Sequence, residues 1–496
     1  MTAIAERAAG ALERYEAVIG IEVHCQLRTA SKMFCGCSTS YDGAAPNTHV
    51  CPVCLGLPGT LPVINRRAVE LVISTGLAIE ATVPERTQWE RKNYFYPDLP
   101  KGYQISQYAI PLAAHGRLRI ETSAGPFVVG ITRAHLEEDT AKLVHADTAG
   151  ETGARASLVD FNRSGAPLME IVTDPDIRTA EQARRYAEEL QMLLRAIGVS
   201  DADMERGQMR VEANVSIRPR GTEAFGTRVE VKNMNSFRSV ERAIAFEIER
   251  HARLIDSGGA VSMETRGWDD ARQATYRMRS KETSEDYRYF PEPDLPPLHV
   301  DAGWISRVRD GLPELPAARR DRYAALGITP YDAAVIVADP AMTIAFEAIS
   351  AAGDVPAKEV ANFVTGQYAR ALKEARPSSG LVDRADAAEI SRILGAIVEG
   401  RASRTIGRQL LDRHLAEGTD AKTLLAGAGP GPISDDAALL GHVESVFAAN
   451  PKALDDHRAG KPVAGFLVGQ VMKATGGAAD AARVATLVRE RLAALG

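Results

Sequence analysis

Cysteine is nearly missing from this chain: five residues in 496, all between positions 25 and 54. An odd number crowded into one short segment is no disulfide framework, which excludes the stapled secreted domains that depend on one. Also missing is any apolar run of about 18 residues, the least a membrane-spanning helix needs. Positive charge is not in excess. The 59 Lys and Arg are outnumbered by 65 Asp and Glu, leaving −6. That argues against a generic nucleic-acid coat, whose affinity rests on phosphate neutralisation. The opening residues carry no apolar signal core, and Glu6 and Glu13 spoil an acid-poor transit peptide. The expected compartment is the cytoplasm. No G-x-x-x-x-G-K-S/T, G-x-G-x-x-G or G-x-S-x-G occurs, so P-loop, dinucleotide-binding and α/β-hydrolase readings have no support. Any use of ATP must rest on an acid-plus-metal architecture.

What is present is strongly patterned. Ile19, Ile21, Val23, Cys25 and Leu27 alternate with Glu22, His24 and Gln26, so a strand there has one apolar and one polar face. Met209 to Ile217 repeats the pattern, with Arg210, Glu212, Asn214 and Ser216 on the polar side, and Arg228 to Lys232 sets Val229 and Val231 against Arg228, Glu230 and Lys232. A long hairpin loop, 219–226, joins those two strands. This predicts an antiparallel sheet with one buried and one wet face. Thr179-Ala-Glu-Gln182 is a capping box that opens a helix stopped by Gly198. Ser236 precedes a second helix, spaced by Val240, Ile244, Ile248 and Ile255 and ended by Gly258-Gly259. Strands and helices do not alternate in βαβ order, which makes the class α+β. Trp89, Trp268 and Trp304 all lie at or before position 304, and the remainder is Ala- and Leu-rich and helical. With a Gly/Pro stretch at 426–432 read as a linker, three parts are expected: an antiparallel-sheet domain at 1–305, an all-helical domain at 306–428 and a small helical tail at 429–496.

Three constellations carry chemistry. Cys35-Gly-Cys37 and Cys51-Pro-Val-Cys54 are two close pairs, the supply of thiolates a tetrahedral zinc site takes, and four sulfurs make such a site structural. Zinc is the better reading than four buried thiols, and Cys25, on the apolar face of its strand, is core. The second is an acid set: Glu22 with His24, His135-Leu-Glu-Glu-Asp139, Glu170 inside an apolar strand, and Glu212 and Glu230 on neighbouring strands. Acids on one sheet face repel unless a cation neutralises them, and oxygen ligands with an imidazole suit Mg²⁺ or Mn²⁺. Any one Glu reads as a solvated surface residue; the set reads as a metal–phosphate site. The third is Arg91-Lys-Asn-Tyr-Phe-Tyr-Pro-Asp-Leu-Pro-Lys-Gly-Tyr-Gln104, answered by Asp286-Tyr-Arg-Tyr-Phe-Pro-Glu-Pro-Asp294. Here Lys92, Lys101 and Arg288 could bind phosphate and base; a Tyr-rich loop packed on the core is an equal alternative.

Several of these segments resemble one family, the B subunits of aspartyl/glutamyl-tRNA amidotransferases. They are Gly20-Ile-Glu-Val-His24, Arg91 to Asp98, His135 to Asp139, Val159-Asp-Phe-Asn-Arg-Ser-Gly-Ala-Pro-Leu-Met-Glu170, Lys232-Asn-Met-Asn-Ser-Phe237 and Asp286 to Asp294. The resemblance runs from about Tyr15 to the end, with Gly465 to Lys473 similar to the family's YqeY-like tail, and is of the bacterial type. It implies a cradle-like catalytic domain and a ligase that uses ATP and Mg²⁺ to phosphorylate the side-chain carboxylate of Glu-tRNA(Gln) or Asp-tRNA(Asn). Ammonia from the A subunit, a glutaminase, then displaces phosphate, and a small C subunit clasps the pair. By similarity Glu22, His24, Glu138 and Glu170 form the Mg²⁺ shell. Glu137, Glu138, Glu212 and Glu230 are the implied catalytic acids, of which Glu137, Glu212 and Glu230 serve as a further shell, a second metal site or acceptor positioning. The four cysteines match the family's zinc pattern.

The tail is implied to reach the tRNA, and Lys461, Lys473, Arg489 and Arg491 are its candidate contacts. Residues 429–496 hold seven Lys and Arg against seven Asp and Glu, so recognition must rest on shape and local patches. Two other readings compete. A zinc-containing RNA-binding protein without chemistry should present a basic face, and this one is acidic. A ligase for a small metabolite has no use for the long helical third.

Overall fold

Alternation along the chain becomes one large sheet. In the computed structural model, which describes residues 3–149, 155–280, 287–374, 385–427, 435–477 and 479–495, eight strands build it. They are β1 (Tyr15–Gln26), β2 (Ala113–Thr122), β3 (Gly125–Glu138), β4 (Pro167–Thr173), β5 (Met209–Pro219), β6 (Val229–Met234), β7 (Glu264–Asp269) and β8 (Ala274–Ser280). Their order is β8-β7-β6-β5-β1-β4-β3-β2. Every neighbouring pair is antiparallel except β6 and β7. That exception is one βαβ unit within an otherwise antiparallel sheet, and the class is α+β as expected. The helix that follows Ser236 carries the chain back across the sheet, and a strand entered after such a crossover runs parallel.

The apolar face is buried as the pattern requires. Ile19, Ile21, Val23 and Cys25 of β1, and Met209, Val211, Ala213, Val215 and Ile217 of β5, all lie in the core. They pack against α1 (Ala3–Leu12), α2 (Arg66–Ala78), α3 (Ala180–Ala196) and α4 (Phe237–Asp256). Thr179 and Gln182 form the reciprocal capping box at α3, and Ser236 caps α4. Gly258 follows α4 at φ +80°, a conformation that favours glycine. Each fully buried Leu or Ile here contributes roughly 2 kcal/mol of hydrophobic stabilisation. The opposite sheet face stays polar.

The two aromatic–cation motifs meet in space. Phe290–Pro291 pairs with Glu90–Asn93, which pairs with Tyr103–Ser106 in a small second sheet. Arg91 clamps it with two hydrogen bonds, 2.7 and 2.8 Å, to the buried Glu292. Asp286 lies outside the described residues.

The chain divides into two compact units, residues 1–315 and 316–496. The first runs past position 305 because the helix Ala302–Asp310 turns back on α2, with Trp304 against Arg66 at 5.2 Å. The second unit is helical. Its first part buries Tyr323, Phe346, Val364, Ile393 and Leu411. Helices between Asp436 and Ala493 enclose a separate core of Leu439, Val443, Leu467, Val471, Val484 and Val488. Of the expected linker, residues 428–432 lie outside the described residues.

Candidate functional site

Register, a long-range property, turns separate polar strand faces into a site. His24 pairs across the sheet with Arg210 on one side and Glu170 on the other, and Glu170 pairs in turn with His135. Four strands thus place Arg210, His24, Glu170 and His135 in one row. Glu22 and Glu137 flank it, each two residues from a row histidine and so on the same face. This row floors a cavity of about 500 Å³. Lys92, Tyr94, Tyr108, Tyr287 and Tyr289 form a wall, and Glu212, Glu230 and Lys232 line the side of β5 and β6.

The distances are those of a ligand cluster. His24 Nε2 lies 3.3 Å from Glu170, 3.6 Å from Glu22 and 3.8 Å from Glu137. His135 Nε2 lies 3.6 Å from Glu170 and 3.7 Å from Glu137. Two trios follow, Glu22–His24–Glu170 and His135–Glu137–Glu170, each with donor atoms within 4.8 Å of one another. Glu170 belongs to both.

Burial pushes the Glu22 carboxyl up to about 7, helped by the charges of Glu170 and Glu212. Burial alone would deprotonate His24, but the hydrogen bond and charge of Glu170, with Glu22 and Glu212 beyond, raise it to about 9. Burial also opposes ionisation of Glu170, yet His135, His24 and Lys92 hold it well below the carboxylate range. Glu137 is lowered likewise, its burial outweighed chiefly by His135. So the cluster gathers negative charge and needs positive charge to balance it. Three carboxylates and two imidazole nitrogens converging on a polar cavity fit Mg²⁺ or Mn²⁺.

Other expected acids fare differently. Glu138 does not join the cluster. It follows Glu137 on β3 and therefore faces the other side, where it pairs with Lys101 and accepts from the Ile105 N–H at 3.0 Å. Both line a smaller cavity of about 210 Å³ beside Cys35 and Cys54. Lys101 is thus remote in role from Lys92, whose ammonium lies 5.0 Å over the Tyr287 ring inside the main cavity. Arg288 is exposed and does not line the cavity; its neighbours Tyr287 and Tyr289 do. Glu212 and Glu230 do line the cavity, but Lys232 reaches both, at 2.6 and 3.8 Å, and Thr265 donates to Glu230.

Three residues escaped the sequence reading. His135 shares the parity of Glu137 and was readable from its motif. Arg210 stood on the wet face of β5, and only the register shows it beside His24. Lys32 is wholly buried, and its ammonium donates to the His49 carbonyl at 2.8 Å and to Cys54 Sγ at 3.5 Å. Nothing near Lys32 in sequence signals that.

Cys35, Cys37, Cys51 and Cys54 come together, with sulfurs within 4.8 Å of one another. Cys35, with the Cys51 backbone and Lys32, favours a thiolate at Cys54 against the effect of burial. This donor set fits zinc. Cys25 is fully buried in the core.

The tail cations are exposed but do not form one patch. Arg489 and Arg491 are two apart on a helix and so diverge by roughly 200°. Lys461 is paired with Asp456 at 2.8 Å and Arg491 with Glu444.

Comparison with known proteins adds the family. The description "GatB/GatE catalytic domain" matches residues 17–306, and "GatB domain" matches residues 345–492. The B subunit of the aspartyl/glutamyl-tRNA(Asn/Gln) amidotransferase of Moorella thermoacetica is 50% identical over 480 residues, 96% of this chain and 100% of the relative. Its counterpart of the same name from Carboxydothermus hydrogenoformans is 46% identical over 98% of this chain and 100% of its own. That from Roseiflexus sp. is 47% identical over 97% and 98%.

Proposed function

The chain belongs to the family of aspartyl/glutamyl-tRNA(Asn/Gln) amidotransferase B subunits, and from that premise we propose that the sheet cavity is where the misacylated amino acid is activated. The enzyme is a ligase that forms a carbon–nitrogen bond, converting Glu-tRNA(Gln) or Asp-tRNA(Asn) into Gln-tRNA(Gln) or Asn-tRNA(Asn). A carboxylate is not amidated directly at neutral pH, since oxide is a poor leaving group. Transfer of the ATP γ-phosphoryl to a side-chain carboxylate oxygen, with release of ADP, gives an acyl phosphate. Ammonia attacks its carbonyl carbon, the carbon–oxygen bond breaks, phosphate leaves, and the nitrogen loses a proton. Phosphoryl transfer asks a protein chiefly for positioning and charge neutralisation.

Glu22, His24, Glu137 and Glu170, with His135, would hold Mg²⁺, which supplies charge neutralisation for the phosphates. Lys92 and Arg133, the latter 3.5 Å from Glu170, add fixed positive charge beside them. The tyrosine wall narrows water access. Glu212 and Glu230, held by Lys232, position the acceptor. Zinc on the four cysteines fixes the segment 35–54 as structure and takes no part in chemistry. The A subunit supplies ammonia, the C subunit joins the pair, and the work is cytoplasmic. The tail meets the tRNA through Lys473 and Arg489, whose charges have no acidic partner among the described residues.

The observation that carries this reading is the shared Glu170 between two His–carboxylate trios on the cavity floor. The test is phosphate release from ATP by the complex reconstituted with A and C subunits, with and without Glu-tRNA(Gln). Release should depend on charged tRNA and fall at least about 100-fold in Glu170→Gln, the cost of removing a charge-stabilising group. Release that ignores tRNA, or that survives the substitution, would leave an RNA-binding protein with a solvated acidic face.

A further inference from the structure

The cavity's cations are not equivalent. Arg133 leans on Glu170 and Lys232 on Glu212, so each neutralises an acid of the cavity. Lys92 is covered by the Tyr287 ring. Arg210 differs. It ends the row Arg210–His24–Glu170–His135, on the side of His24 away from Glu170 and His135. One N–H of its guanidinium donates to Asp139 Oδ1 at 3.2 Å. Among the described residues the other four N–H groups find no acceptor, and the side chain is 37% exposed, into the cavity.

Asp139 is a pedestal, not a competitor. Its side chain is 2% exposed. One oxygen accepts from the Thr140 N–H at 3.0 Å, the other from Gln26 Nε2 at 2.9 Å, and Arg163 stands 3.6 Å away. The carboxylate is thus fixed by Gln26 of β1, by Arg163 and by the N–H of its own neighbour, and fixes the guanidinium in turn. A planar fork, aimed by a buried acid and short of acceptors, is a receptor for an oxyanion. Two oxyanions enter this cavity on the function proposed above, on which this inference rests: the phosphates of ATP and the side-chain carboxylate of the aminoacyl ester. The phosphates follow the metal-type trios, toward Lys92 and Arg133. The carboxylate must approach from another side, so that its oxygen bonds the γ-phosphorus as the bond from that phosphorus to the β–γ bridging oxygen breaks in line and ADP leaves.

We propose that Arg210 binds the side-chain carboxylate of the aminoacyl-tRNA and aims one of its oxygens at the transferred phosphorus. Arg210 is then a substrate-binding residue, and Asp139 is a positioning residue acting through it.

The reconstituted complex, assayed for phosphate release with Glu-tRNA(Gln) and ATP varied separately, tests this. Arg210→Gln should raise KM for Glu-tRNA(Gln) at least about tenfold, with KM for ATP within about twofold. Arg210→Lys should recover part of the loss, since a point charge replaces a fork. The double variant Arg210→Gln/Asp139→Asn leaves no uncompensated buried carboxylate, should melt like the wild type, and should keep the KM defect. An unchanged KM for Glu-tRNA(Gln) in Arg210→Gln overturns the proposal. So does a defect confined to ATP, which would make the bound oxyanion a phosphate, or a double variant restored to normal, which would make Arg210 a counter-ion for Asp139. Wild-type complex without tRNA-dependent phosphate release would instead sink the functional reading itself, and is seen before any variant is compared.

Discussion

Glu137 and Glu138 differ by one position and have unrelated surroundings. On a strand, successive side chains face opposite ways, so the two never could share one site. The motif His135-Leu-Glu-Glu-Asp139 holds that information: His135 and Glu137 have one parity, Leu136 and Glu138 the other. The family resemblance put Glu138 with Glu22, His24 and Glu170; parity puts Glu137 there, and in the structure Glu137 stands with them while Glu138 pairs with Lys101. A divalent-ion titration separates the two. Glu137→Gln should weaken Mn²⁺ binding to the complex, followed by paramagnetic resonance, at least about tenfold, since a charged ligand is lost. Glu138→Gln should leave Mn²⁺ affinity within about twofold. Equal losses in the two variants would contradict the placement.

At the scale of elements, helix α4 is fastened to the sheet by a buried acid that no sequence pattern announced. Glu247 shares the apolar face of Ile244 and Ile248, where hydrophobic periodicity expects another aliphatic residue. It is fully buried, with Arg250 at 2.7 Å, His251 at 3.2 Å, Arg266 of β7 at 3.4 Å and the Thr275 hydroxyl of β8 all turned to it. Burial opposes its charge, but His251 and Arg250 outweigh it and lower the carboxyl to about 2. A folded-state value below the unfolded one stabilises the protein above the unfolded value, and this contribution is lost as pH falls from about 4.5 toward 2. Urea unfolding should show Glu247→Gln destabilised by about 3 kcal/mol at pH 7, from the size of that shift. The gap should shrink as pH falls below about 4. A gap independent of pH would mean that packing, and not charge, holds α4. The same helix provides the crossover that makes β6 and β7 parallel, a topology invisible to a pattern that reads each segment alone.

The whole molecule brings distant segments together, and the cysteine cluster shows what that does. Cys35–Cys37 and Cys51–Cys54 were recognisable as ligand pairs, because spacing within a pair is local. The Lys32 ammonium beside Cys54, and the backbone contact of Met33 with Gly165 at 2.7 Å, are not local. They tie the cluster to the β3–β4 end of the sheet, next to the cavity that holds Glu138. Cys51→Ser should cost the purified complex about one equivalent of zinc by metal analysis and lower the melting temperature of the first unit, as loss of a structural metal does. Helical content of residues 316–496 should be untouched. Zinc content equal to wild type would refute a four-cysteine site.

Much of this protein was already written in its sequence. Period-two alternation sets which face of β1, β5 and β6 is wet. Caps at Thr179 and Ser236 set where α3 and α4 begin. The two cysteine pairs and the long motifs identify a family. These are local or near-local properties, fixed by backbone geometry and side-chain direction. The tertiary structure alone decided which wet faces meet: that His24 stands between Arg210 and Glu170, that Glu170 serves two trios, that Arg288 turns outward while its flanking tyrosines turn in. Such placements depend on the register of hydrogen-bond ladders between strands far apart in sequence, and a slip of one residue would reverse every face. Register is chosen by burying the whole apolar face at once, a cooperative decision that no single segment contains.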